Sequence, residues 1–119
     1  MSHSDIQKIN STEVMSAVTV FNQVVYLSGQ VPKNPDLDIE GQTRDVLATI
    51  EQLLASANSD KSRLLSVQLF LKDLADFPKV NAIYVDWLKD CVAPSRATIQ
   101  ADLVNPNWLI EIAVIAALP

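Results

Sequence analysis

The sequence predicts an α+β domain in which two helices lie on one face of a mixed β-sheet. Three observations predict it. Apolar residues recur with a 3.6-residue period in two separate stretches, one from Ile39 and one from Phe77. Around them lie short apolar or alternating runs bounded by Pro, Asn and Asp. The last of these runs, WLIEIAVIAAL, is nearly all apolar on both of its alternating rows.

The bulk composition agrees. A chain of 119 residues is long enough for one hydrophobic core, and no linker or internal repeat divides it, so residues 1–119 read as one domain. With 49% apolar and 19% charged residues the composition is that of a globular protein. The net charge of −5 repels phosphate backbones, which argues against nucleic acid as a partner. Cys91 is the only cysteine, so no intrachain disulfide forms and a reducing, cytoplasmic compartment is expected. His3 is the only histidine and sits in a polar start expected to fray; that disfavours a histidine-based triad or zinc site on the folded body. No apolar run reaches the ~18 residues that a membrane helix needs, and no signal segment opens the chain.

In chain order, VMSAVTVFNQVVYLSG (residues 14–29) reads as two strands turned by FNQ, and a further strand in this N-terminal region is left open. PKNPDLD is a loop because its two prolines cannot donate to a ladder. From Ile39 the residues Val46, Leu47, Ile50, Leu53, Leu54 and Ala57 form the stripe of a helix of four or five turns. Asp36 or Asp38 marks its start and NSDKS its end. LLSVQLFLKDL follows as an interior strand, with Leu65, Val67, Leu69 and Leu71 on one row. Residues 77–90 give the second helix, with Val80, Ile83, Tyr84, Trp87 and Leu88 as its stripe and Pro78 in its first turn. The strand in APSRATIQADL (residues 93–103), the turn VNPN and the final strand complete the order.

Two helices cover only one face of such a sheet, yet the final strand is apolar on both. A second copy packing on the open face is therefore expected.

Two residues stand out chemically. Arg96 heads an alternating strand directly behind a Pro-Ser pair, with Thr98 and Gln100 on the same row. It is either a solvated edge residue or a carboxylate clamp. Glu111 interrupts the apolar final strand, where an ionised carboxylate is costly unless it is paired, hydrogen-bonded or wet. It either faces solvent at the strand start or stands beside a ligand or water, since Ala113 and Ala117 in its row leave room. With VNPN as a hairpin tip, Glu111 falls opposite Gln100. Arg96 then lies on the same face, ~13 Å further along at 3.3 Å per residue. That gap calls for a ligand, water or a neighbouring chain.

The blocks SGQVP (residues 28–32), VNAIYVDW (80–87), APSRATIQADL and IEIAVIAAL (110–118) occur in the order and spacing of the RidA family, also called YjgF or endoribonuclease L-PSP. The chain resembles that family over residues 18–118. The resemblance implies a chorismate-mutase-like α+β fold with a six-stranded mixed sheet, a homotrimer, and small-molecule clefts between subunits. It implies that Arg96 binds a substrate carboxylate as a bidentate fork, that Glu111 positions or activates water, and that Ser28, Gly29, Asn81 and Thr98 complete the substrate site. The implied reaction is that of a 2-iminobutanoate/2-iminopropanoate deaminase: hydrolysis of imines from 2-aminoacrylate-type enamines to 2-keto acids and ammonia. It requires no metal or cofactor, because a protonated imine is already electrophilic.

Met15 stands where the deaminase members carry a tyrosine, and Thr98 where they often carry a cysteine. The alternative is a non-catalytic protein binding a small 2-keto or amino acid in the same cleft. A third reading, an endoribonuclease, meets the negative net charge and the lack of a basic patch.

Overall fold

The computed structural model describes residues 5–119, so His3 and its neighbours lie outside the described residues. The elements run β1 (Gln7–Ser11), β2 (Ser16–Phe21), β3 (Val24–Leu27), α1 (Ile39–Ser56), β4 (Leu64–Leu71), α2 (Phe77–Trp87), β5 (Ser95–Gln100) and β6 (Ile110–Ala117), with single 3-10 turns at Lys61–Arg63 and Leu74–Asp76. They form one six-stranded sheet in the order β1-β2-β3-β6-β4-β5. Among the described residues no helix is long and apolar enough to cross a membrane.

Local chemistry sets the boundaries. Asn22 and Gln23 both adopt positive φ (51° and 68°), so FNQ closes a tight two-residue turn whose twist suits the β2–β3 hairpin. Helix α1 opens on Asp38, whose carboxylate accepts from the Gly41 amide at 2.8 Å. It closes on Asn58 in the left-handed region (φ 62°). The amides of Asn58 and Ser59 donate back to the carbonyls of Ala55 and Leu54, satisfying groups a helix end leaves open. Helix α2 stops at Trp87, three residues short of the sequence expectation, and Leu88 caps it while remaining buried.

The core lies between the helices and one sheet face. Val67, Leu69 and Leu71 of β4 and Ile110, Ile112, Val114 and Ala116 of β6 meet Val46, Ile50 and Leu54 of α1 and Val80 of α2, all buried. The other face carries the alternate residues: Tyr26 of β3, Ser66, Gln68 and Phe70 of β4, and Glu111, Ala113, Ile115 and Ala117 of β6. Tyr26, Ser66, Gln68, Ala113 and Ile115 line a 240 Å³ depression on this uncovered side.

One open reading is settled and two expectations need correction. The polar start contains a strand, β1, paired antiparallel with β2. Its residues are mostly exposed, so no apolar alternation marked it. A register shift between Leu64 and Ser66 puts Leu64 in the buried row and leaves Leu65 48% exposed. Most important for function, β5 and β6 do not form a hairpin. β5 pairs in parallel with β4, and β4 separates it from β6. The α2 crossover makes β5 parallel to β4, and β6, apolar on one face and lined by small residues on the other, takes the interior position beyond it.

Candidate functional site

Arg96 stands on β5 beside Val67 of β4, and Val67 belongs to the helix-covered row. The guanidinium therefore reaches toward α2. Its Nη1 donates to the Asn81 Oδ1 at 2.7 Å. Its Cζ lies 4.9 Å from the centroid of the Tyr84 ring and 5.5 Å from that of Phe77, within cation–π range. Phe77, Asn81 and Tyr84 are spaced four and three residues apart on α2, which sets them on one helical stripe. Arg96 itself is exposed, and among the described residues no carboxylate pairs with it. Thr98, two residues on, shares its row beside Leu69 and is half-buried.

Glu111 lies on the opposite face. Its partner across the ladder is Phe70, in the uncovered row. The carboxylate rests against Gly29, where a Cβ would overlap its Oε2 and stand 3.0 Å from its Cδ. Glycine is required here by close approach. The backbone holds the pair in register, because Gln30 exchanges both ladder bonds with Ile112, at 2.8 and 3.0 Å. Half-buried Glu111 makes no hydrogen bond or ion pair with any described residue. Ser28, beside it in sequence to Gly29, donates its hydroxyl to the Ser16 carbonyl at 2.6 Å.

The six candidate residues thus fall into two groups, Arg96, Asn81 and Thr98 in one and Glu111, Gly29 and Ser28 in the other. The expectation that Arg96 and Glu111 share a face is overturned: they face opposite sides, and their partners on β4 stand three residues apart, ~10 Å along the strand. Asn81 touches Arg96 directly. Met15 lies in the turn before β2, 57% exposed.

Sequence reasoning missed two contributors. Tyr84 reads as a packing anchor, and it is one at 4% exposure, yet its ring also carries Arg96 and its hydroxyl has no hydrogen-bond partner among the described residues. Burial pushes its phenol above the ordinary value, against the pull of the nearby Arg96 charge, so it stays neutral at physiological pH. Gln42, fully buried on α1, donates to the carbonyls of Pro35, Leu37 and Asn107 and accepts from the Leu109 amide. It ties the loop before α1 to the start of β6, two residues from Glu111. A polar residue inside a helical stripe was its only signal.

The resemblance carried by four short blocks extends along the chain. Residues 6–118 match the family described as Endoribonuclease L-PSP, and the chain belongs to that family. Among relatives, a RutC family protein from Haemophilus ducreyi is 40% identical, the match covering 95% of this chain and 97% of that one. A protein from Acinetobacter baylyi named 3-aminoacrylate deaminase RutC is 36% identical, with 82% of each chain covered. In three dimensions the chain is similar to a YjgF family member from Neisseria meningitidis, with a TM-score of 0.92, 34% identity and coverage of 99% and 98%. The fold class read from the sequence, a mixed six-stranded sheet with two helices, is the fold of these proteins.

Proposed function

We propose that the protein hydrolyses small imines bearing a carboxylate, of the 2-iminopropanoate and 2-iminobutanoate type, in a cleft between copies of a homotrimer. One observation carries the reading. An arginine and a carboxylate, neither with an oppositely charged partner among the described residues, lie on opposite faces of one sheet. One chain cannot bring both to a ligand of a few atoms, whereas two adjacent copies can, Arg96 coming from one and Glu111 from the other. The open face around Glu111 is the surface a second copy would cover.

In that cleft the Arg96 fork, with donors left over after the bond to Asn81, takes the substrate carboxylate. Thr98 lines the same side. Glu111, against Gly29 and next to Ser28, orients a water and accepts its proton as the oxygen adds to the imine carbon. The tetrahedral intermediate then expels the nitrogen. The balance is iminium plus water giving a 2-keto acid and ammonium. A relative named as an aminoacrylate deaminase supports this class of chemistry.

A second reading, a small-carboxylate binder without turnover, is favoured by Met15, which offers no hydroxyl at the position where deaminase members carry a tyrosine. One assay separates the two. Enamine generated in situ by an amino acid dehydratase is supplied to wild type, Arg96→Lys and Glu111→Gln, and 2-keto acid release is followed. The enzyme reading expects wild-type release above the uncatalysed rate, weaker carboxylate binding in Arg96→Lys, and a fall of roughly 10² to 10⁴ in rate for Glu111→Gln with affinity retained. Carboxylate binding without any acceleration leaves the binder; no binding at all ends both.

A further inference from the structure

Arg96 occupies an edge strand and is exposed, the setting in which a long side chain samples many rotamers. It is nevertheless held through three contacts with a single stripe of α2: the Asn81 amide oxygen and the rings of Tyr84 and Phe77. All three groups are neutral. In a chain with 14 acidic residues against nine basic ones, a carboxylate would be the commoner partner for an arginine, and it would cancel the charge as it fixed the geometry.

We propose that Phe77, Asn81 and Tyr84 form a neutral seat that fixes the plane of Arg96 while leaving its positive charge free for an anionic ligand, which makes Tyr84 a positioning residue for carboxylate recognition. The ring of Tyr84 is the operating part. Its negative face attracts the guanidinium without neutralising it, and its orphaned hydroxyl contributes nothing to the hold. Tyr84 is suited to the task because its helix is anchored: Val80 and Ile83 on the same helix are buried in the core. The seat positions and Arg96 binds, so the inference rests on the carboxylate reading of Arg96 made above.

Calorimetric titration of the intact protein with pyruvate tests the proposal across a small set of variants. Tyr84→Phe keeps the ring and should bind like wild type. Tyr84→Leu should bind about fivefold to tenfold more weakly, and Phe77→Leu, in a less buried position, should weaken binding in the same direction. Asn81→Asp keeps an acceptor for Nη1 but adds a charge, and should lose at least about tenfold in affinity with its melting temperature retained. In an Arg96→Lys background, Tyr84→Leu should change affinity no further. The seat is overturned if Tyr84→Phe binds as weakly as Tyr84→Leu, if Tyr84→Leu costs the same in both backgrounds, or if Asn81→Asp binds like wild type.

A second readout needs no ligand. Nitrogen-15 NMR of the Arg96 guanidinium should show restricted rotation in wild type and Tyr84→Phe, and faster rotation in Tyr84→Leu and Phe77→Leu. Should wild type bind no pyruvate while this pattern appears, the carboxylate reading fails and the seat stands. A freely rotating Arg96 in wild type removes the seat whatever binds.

Discussion

At the scale of single residues, the glycine at position 29 shows how a side chain is positioned by leaving atoms out. The Glu111 carboxylate fills the space a Cβ would take, and that contact fixes where it points. In Gly29→Ala either the carboxylate or the backbone after β3 must shift. Since the backbone is tied to Ile112 by two ladder bonds, the side chain is the part that moves. On the hydrolytic reading, turnover should fall about 10²-fold, the scale of a misplaced general base, while calorimetric affinity for a small 2-keto acid, assigned on that reading to Arg96 on the other face, should stay within about twofold. An equal loss of both would mean that the two groups of residues are not independent. Gly29 is marked as a site residue in the sequence only through the family resemblance; the reason for it is a contact with a residue far along the chain.

At the scale of elements, Gln42 links α1, the loop ahead of it and the residues just before β6 through four hydrogen bonds made in a buried position. Replacing it with a side chain of similar size but no amide leaves those backbone groups unsatisfied in a dry environment. Gln42→Met should therefore lower unfolding stability by ~3 kcal/mol, as expected when buried polar groups lose their partners. Urea titration checks this as a lower midpoint with an unchanged slope. A loss below ~1 kcal/mol would mean that water enters and takes over the bonds. Both helices and five of the strands are readable along the chain, because each declares itself by a period and by its caps. β1 is not, since an edge strand exposed on most of its residues has no apolar period to show.

At the scale of the whole molecule, the sheet presents a face of small and apolar residues, with Tyr26, Ala113 and Ile115 around a shallow depression. Two helices leave that face uncovered, and burying it against other copies would stabilise the proposed trimer by the usual apolar-surface effect. Sedimentation should show a trimer for the native protein and a monomer for Ile115→Arg, with helical content unchanged. The monomer should lose keto-acid release altogether if the cleft is shared. A fully active monomer would place the whole reaction within one chain and overturn the assignment of Arg96 and Glu111 to different copies.

The sequence alone determined the two helices, the hairpin turn at Asn22–Gln23, the two-sided character of β6 and the identity of Arg96 and Glu111 as residues to watch. Each of these follows from neighbours within a few positions, where periodicity and side-chain chemistry act directly. Only the tertiary structure decided that β4 lies between β5 and β6, and with it that Arg96 and Glu111 face opposite ways. Strand order is a choice among partners far apart in sequence, settled by which arrangement buries the apolar rows of β4 and β6 at the centre of the sheet. Local spacing has no access to that competition, and a hairpin count that places Glu111 opposite Gln100 is consistent with every neighbouring residue and wrong about the sheet.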